Sequence, residues 1–235
     1  MATNLIAKQK NVSSDFQDSL QKAASGNSER TILFDQKLVD AISLEGAEQL
    51  YRDRISNAGD FTFVFVGDFD EKQVLALATK YLGSIPGTTE TETAVNHNMV
   101  PAKGKTTVHL TKEMETPQAT VNVMFTGDME YSKKNNLKLY VLSQLLDKRY
   151  MERIREEEGG SYGVRVGGSV SWVPIENYNL SVSFNCNPDK ADDLLKIVYA
   201  ELKKMETSID TEELAEIKSN YKKGVSENQR NNSYW

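Results

Sequence analysis

The sequence is poor in the residue types that most often carry chemistry. Its 235 residues include one cysteine and two histidines. A single cysteine excludes an intramolecular disulfide, and Cys186 alternates with polar residues of a predicted strand, which favours a buried thiol over a nucleophile. His97 and His109 have no partner at the spacing of a metal site. We therefore expect no metal ion to be bound by this chain.

Long apolar runs and an excess of basic charge are also missing. No stretch of about 18 apolar residues occurs, so no membrane-spanning helix is predicted. The first residues lack the apolar core of a signal peptide, and both ends resemble cuts within a longer protein. The formal net charge is −6. A nucleic-acid partner would require a basic face, so no nucleic acid is expected as a partner.

Common catalytic motifs are absent as well. The sequence contains no glycine-rich phosphate loop and no evident Ser-His-Asp arrangement. Asp68 and Asp70 follow a predicted strand, a position where some α/β proteins bind Mg²⁺. However, Asp70 stands three residues before Gln73, as in a helix capping box, and Asp68 fits an ordinary turn. These two carboxylates are therefore interpreted as structural.

Helix-start signals are clear at several points. Ser43, Asp70 and Asp210 each precede a helical pattern of apolar residues and can cap its first turn. A long amphipathic pattern runs from Lys133 to about Glu157. Further helices are predicted within "SDFQDSLQKAA" and after the Asn-Pro pair at 187–188.

Strand signals lie between these helices. The continuous apolar run Phe61–Val66 predicts a central strand buried on both faces. "TTVHLT" and "QATVNVMFTG" predict two more strands, and residues 86–105 form a long connection between the two halves. Alternation then predicts a hairpin with one inward face of Val164, Val166, Val170 and Trp172, and another of Tyr178, Leu180, Val182, Phe184 and Cys186. This order predicts an α+β fold with a mixed, mostly antiparallel sheet and helices on one face.

The stretch "RIREEEGGSYG" joins a charged helix to an alternating strand. From the residues alone, Arg155 is a cation near a helix C-terminus and Gly159 and Gly160 end the helix. Tyr162 would then be a strand residue on the polar side. Ser161 lies in the same turn but has no base that could activate it. By itself, the stretch is compatible with a purely structural turn.

Three longer segments, in order, resemble one family. They are "AEQLYRDRISNAGDFTFVFVGDFDEKQVLALATKYLGSIP", "RYMERIREEEGGSYGVRVGGS" and "PDKADDLLKIVYAELKKMETSIDTEELAEIKSNYKKG". Together they are similar to the second-half region of the M16 metallopeptidases, the group of pitrilysin, insulysin and the mitochondrial processing peptidase. The resemblance covers residues from about 30 to the end. It implies a polar leading segment over 1–30 and an M16 C-terminal-type domain over 31–235.

The resemblance implies a part in a larger enzyme. Members of the family have two related halves that close around a peptide, and the N-terminal half carries a zinc motif, His-x-x-Glu-His. This sequence has no such motif, so it resembles the last domain of the non-zinc half. The implied partners are a peptide substrate and a zinc-bearing N-terminal half, in the same chain or in a partner subunit. Exported bacterial members suggest a periplasmic location.

The resemblance also assigns roles to the turn. In this half the family has an arginine followed seven positions later by a tyrosine, which Arg155 and Tyr162 match. Tyr162 would donate its hydroxyl to a substrate carbonyl or to the oxyanion that forms during hydrolysis, and Arg155 would hold the peptide backbone or the tyrosine in place. Gly159, Gly160 and Ser161 would let the peptide approach the chain closely. The chain alone is expected to be inactive.

Two other functions are alternatives for this sequence. One is a non-catalytic scaffold or binding subunit, of the type of the regulatory processing-peptidase subunit or the respiratory-complex core proteins. The other is a free-standing α+β binding module such as an RNA binder. The acidic balance and the lack of interleaved aromatic and basic residues disfavour the RNA binder. The Arg155 and Tyr162 pair favours the peptidase over the scaffold.

Overall fold

The computed structural model describes residues 2–89, 92–93, 95–97, 99–157 and 161–234, with the backbone alone at 2, 155–157, 161 and 162. The chain divides into two compact units. The first comprises Met1–Lys10 and Ile32–His97, and the second comprises Asn11–Thr31 and Asn98–Trp235. The described residues form helices α1 (Ala2–Gln9), α2 (Val12–Ala24), α3 (Gln36–Ala41), α4 (Leu44–Ile55), α5 (Glu71–Tyr81), α6 (Lys133–Tyr150), α7 (Ala191–Met205) and α8 (Thr211–Asn228).

The predicted helix caps are confirmed. The Ser43 hydroxyl accepts a hydrogen bond from the Gly46 N–H at 3.0 Å and begins α4. The Asp70 carboxylate accepts one from the Gln73 N–H at 3.0 Å and begins α5. Each cap satisfies a backbone donor that the first turn of a helix cannot pair internally. Asp210 does the same for two N–H groups of α8, which lowers the pKa of its carboxyl group.

The prediction of a buried central strand at Phe61–Val66 is wrong for this structure. The run belongs to no strand ladder among the described residues, and Val64 and Val66 are 76% and 81% exposed. The residue types favour a strand, but a strand forms only where a neighbouring strand supplies backbone partners. The run has the composition of a strand but no neighbouring strand to pair with among the described residues.

The same correction applies to "TTVHLT" at 106–111. These residues lie in no strand of the described chain, and Val108 and Leu110 are exposed. The predicted connection at 86–105 is likewise free of helices and strands wherever it is described.

The second unit contains a three-stranded antiparallel sheet. Its strands are β1 (Ala119–Asp128), β2 (Ser161–Ser171) and β3 (Asn177–Cys186), in the order β1-β3-β2. Val182 at the centre of β3 stands opposite Val123 on one side and Val166 on the other. The predicted α+β class and the predicted hairpin are confirmed.

One face of this sheet is apolar and packs against helices. Along β3, every second residue is buried, from Leu180 to Cys186, as the alternation predicted. Side chains of α6 and α7 complete the core, with Leu146 and Val198 fully buried. Burial raises the pKa of the Cys186 thiol, in agreement with a core cysteine. Trp172 departs from the prediction, because β2 ends at Ser171 and the indole is 68% exposed.

We predict that Leu146→Ala lowers the free energy of unfolding by about 2–5 kcal/mol, because it leaves a cavity in the core. Leu110→Ala is the matched control, since Leu110 is 43% exposed where Leu146 is fully buried. Its effect should stay below about 1 kcal/mol. Urea unfolding followed by circular dichroism measures both. Equal losses would mean that 106–111 belongs to the folded core.

Candidate functional site

Arg155 lies in an unusual stretch of backbone. After Tyr150, helix α6 continues as a π-helical segment, Met151–Glu157, which packs against β2. The π-helix is rare in proteins and occurs mostly as short insertions, often at functional sites. The sequence predicted an uninterrupted helix to about Glu157. The predicted extent of this helix is correct, but its last seven residues are π-helical and not α-helical.

Tyr162 lies in a second irregular stretch. It is the second residue of β2, where Ser161 pairs with Cys186 and Val164 pairs with Phe184. Three steps along β2 therefore correspond to two steps along β3, which defines a bulge that contains Tyr162. Bulges bend a strand and re-aim a side chain, and they are common beside active sites.

The structure thus places Arg155 and Tyr162 in two elements that contact each other. Ser161, the third predicted site residue with a described backbone, begins β2. Gly159 and Gly160 lie outside the described residues.

The elements that carry the two residues are held together by side chains of α6. The Asp147 carboxylate accepts a hydrogen bond from the Val166 N–H at 3.0 Å. The Asn136 side-chain oxygen accepts one from the Val170 N–H at 3.1 Å. Strand β2 is at the edge of the sheet, so these N–H groups face away from the ladder with β3. The two side chains take the place of a fourth strand and fix β2 against α6.

Sequence reasoning missed Asp147 and Asn136. Both fall at helical spacing on the stripe that also holds the buried Ser143 and Tyr150. A polar residue on an apolar stripe is the signal that would have revealed them, because a half-buried carboxylate or amide needs a hydrogen-bond partner.

Close packing of α6 on β2 also depends on Gly168. A Cβ atom at this position would lie 2.8 Å from the Leu139 Cγ and 3.1 Å from the Leu139 carbonyl oxygen. Backbone cannot retreat as a flexible side chain can, so only glycine fits without displacing the helix. Gly167 next to it would meet only the Ser181 hydroxyl, at an ordinary 3.5 Å.

A buried polar cluster lies at the base of the π-helical segment. The Tyr150 hydroxyl donates to the Val198 carbonyl at 2.9 Å, and its ring is fully buried. Burial, assisted by the nearby Glu201 carboxylate, raises the pKa of Tyr150 well above its usual value near 10. Glu201 is itself only 4% exposed and pairs with Lys204 at 2.6 Å and Arg153 at 3.8 Å.

We find no metal-binding cluster in the described part of the chain, where no three His, Cys, Asp or Glu side chains are suitably grouped. His97 and His109 are exposed. Helices long and apolar enough to cross a membrane are likewise absent from the residues described.

Comparison with known proteins adds a family match. Residues 41–221 match the family model described as "Peptidase M16 inactive domain". A protein of Escherichia coli K12 described as "Probable zinc protease PqqL" is 27% identical over 205 residues. That alignment covers 86% of this chain and 22% of the relative, so the chain spans about a fifth of its length.

Solved structures support the same fold. The crystal structure of the periplasmic protease PqqL from E. coli matches with a TM-score of 0.77 and 26% identity, over 95% of this chain and 24% of that one. A peptidase M16 inactive domain from Pseudomonas fluorescens matches with a TM-score of 0.67 and 17% identity, over 95% of this chain and 54% of that one. The predicted fold class and the predicted resemblance are both confirmed.

We predict that Tyr150→Phe lowers the free energy of unfolding by about 1 kcal/mol at pH 7, through the lost hydrogen bond to Val198. This difference should shrink as the pH rises above about 10. In the unfolded wild type, tyrosine then ionises, whereas the folded hydroxyl stays protonated because its pKa is raised, so the wild type alone loses stability at this position.

Urea unfolding of both proteins between pH 7 and about 11 measures the gap. Tyr51→Phe is the matched control, because Tyr51 is 65% exposed and its loss should leave stability unchanged at pH 7. A gap between wild type and Tyr150→Phe that stays constant with pH would contradict the burial argument.

Proposed function

Because this chain belongs to the M16 peptidase family and matches its inactive domain, we propose that it is part of the substrate-binding, non-zinc half of a zinc metallopeptidase. The match over residues 41–221 supports an M16 C-terminal-type domain, which we propose to extend over 31–235, with 1–30 as a leading segment. Its relative in E. coli carries the description of a probable zinc protease. The sequence has no His-x-x-Glu-His motif, so the zinc is assigned to the other half of the protein.

The backbone around Arg155 and Tyr162 carries this proposal. One residue lies in a π-helical segment and the other in a strand bulge, and these two elements pack together. Both irregularities are costly departures from regular structure, of the kind that proteins keep where a side chain must be aimed.

The proposed roles follow from the chemistry of the two side chains. The hydroxyl of Tyr162 donates a hydrogen bond to the substrate carbonyl, and this bond strengthens as negative charge develops on the oxygen. Arg155 holds the peptide backbone through the donors of its guanidinium group. The peptide contacts Gly159, Gly160 and Ser161. A zinc ion bound by the other half would provide the activated water for hydrolysis.

The proposal extends to partners and location. The partners are a peptide substrate and the zinc-bearing half, either in the same chain or as a separate subunit. The related E. coli protease is described as periplasmic, which supports a periplasmic location here. The alternative is a non-catalytic M16-like scaffold or binding subunit, which would keep the fold without using Arg155 and Tyr162.

We predict that Tyr162→Phe, introduced into the complete zinc-bearing protein, lowers kcat for a peptide by about tenfold or more. This is the scale of losing one oxyanion donor. The measurement is steady-state cleavage of a fluorogenic peptide, with kcat and KM determined separately. The KM should change little, because the hydroxyl acts mainly in the transition state.

Tyr51→Phe serves as the control in the same protein, since Tyr51 is an exposed tyrosine on α4. An unchanged kcat in Tyr162→Phe would remove the assigned role. If the complete protein showed no peptidase activity but still assembled with a partner, the scaffold alternative would be favoured.

We also predict that the 235-residue chain alone binds no stoichiometric zinc and shows no zinc-dependent proteolysis. His97 and His109 are exposed while Cys186 is buried, and no three His, Cys, Asp or Glu side chains are grouped as metal ligands among the described residues. Elemental analysis after dialysis against a zinc buffer measures the metal content. One zinc ion per chain would contradict the assignment to the other half.

A further inference from the structure

A groove with an apolar floor and a basic rim lies along α6 and α8. Its volume is about 400 Å³, which is within the range of sites that bind small ligands and peptide side chains. Val141, Leu142 and Leu145 of α6 form much of its floor, together with Leu214 of α8. We call this feature the α6–α8 groove.

The two helices that form the groove are fixed in an antiparallel arrangement. Arg149 near the end of α6 pairs with Glu213 near the start of α8, at 3.2 Å. Towards the other end, the rings of Tyr140 and Tyr221 lie 5.4 Å apart. The relative position of the two helices that line the groove is therefore fixed by contacts between them.

Three lysines form the basic rim. Lys134 and Lys138 lie one turn apart on α6, and Lys218 lies on α8. None of the three forms an ion pair with another residue in the described ranges, whereas Glu213 and Glu216 of α8 are already paired with Arg149 and Lys148. The rim thus carries three positive charges that the described chain does not compensate.

The start of α6 adds to this positive charge. Its first turn contains no acidic residue and includes Lys133 and Lys134. Lysines are unfavourable there, because the N-terminus of a helix carries a partial positive charge of its own. Residues that lower stability and add no contact to the fold are typical of surfaces that bind a ligand or a partner. The lysines in the first turn of α6 fit this description.

We propose that the α6–α8 groove binds an acidic amphipathic peptide segment, whose apolar side chains enter the groove while its carboxylates contact Lys134, Lys138 and Lys218. The chain has a net charge of −6, so the positive charge of this basic rim is opposite in sign to the net charge of the chain. The three lysines are spread over two helices, and they require several separated carboxylates. A peptide provides these, whereas a fatty acid has only one.

The α6–α8 groove does not include Arg155 or Tyr162. The proposal for the groove therefore does not depend on the function proposed for those two residues.

A labelled synthetic peptide tests the proposal with the 235-residue chain. The probe has about 15 residues, with leucines spaced along one helical face and glutamates elsewhere. A second peptide carries lysines in place of the glutamates. Fluorescence anisotropy should show binding of the Leu/Glu peptide that weakens as salt is added, and no comparable binding of the Leu/Lys peptide.

Variants then locate the site. Lys134→Glu/Lys138→Glu/Lys218→Glu should weaken binding of the Leu/Glu peptide by about tenfold or more. Lys72→Glu/Lys203→Glu/Lys222→Glu is the matched control, with the same change of net charge at three exposed lysines outside the groove lining, and it should bind nearly as the wild type does. Leu137→Asp, at a groove residue that is 40% exposed, should weaken binding without unfolding the chain.

Three results would overturn the proposal. The first is equal affinity of the two triple variants, and the second is equal binding of the Leu/Lys peptide. The third is a second copy of the chain bound in the groove. Sedimentation velocity would then show a dimer that Leu137→Asp abolishes and the control triple variant does not. Circular dichroism of each variant ensures that a loss of binding is not a loss of fold.

Discussion

The hydrogen bonds that the edge strand β2 donates to side chains of α6 are the constraint on which the rest of the second unit depends. Strand β2 pairs with β3 on one side. On the other side, the Val166 and Val170 N–H groups donate hydrogen bonds to the side chains of Asp147 and Asn136. Gly168 lets the helix approach closely enough for these bonds to form. The π-helical segment and the bulge therefore depart from regular structure next to two elements, α6 and β2, that are fixed to each other. Irregular backbone persists only where its surroundings determine it in this way.

Much of the fold was predictable because its signals are local. Caps such as Ser43 and Asp70 are read within three residues, and the alternation of β3 is read within ten. The Phe61–Val66 run shows the limit of this reasoning. Its residue types favour a strand, but pairing is decided by another segment of chain, and none of the described segments takes that position.

The site was less predictable from the residues than the fold was. Arg155 and Tyr162 were singled out by the family pattern, and their residue types alone fitted an ordinary helix end and strand start. The roles of Asp147 and Gly168 follow from contacts across 19 and 29 positions of the chain, Asp147 to Val166 and Leu139 to Gly168. No local pattern reports such contacts, apart from the polar residue on an apolar helical stripe.

The exposed Phe61–Val66 run has a consequence for the behaviour of the chain in solution. Six residues of aromatic, β-branched and threonine character, without charge or proline, have the composition of segments that stack into intermolecular β-structure. With no strand of the described chain beside it, the run is open to pairing with the same run of another molecule. We therefore expect the isolated chain to aggregate through this run, and a strand that covers the run to suppress the aggregation.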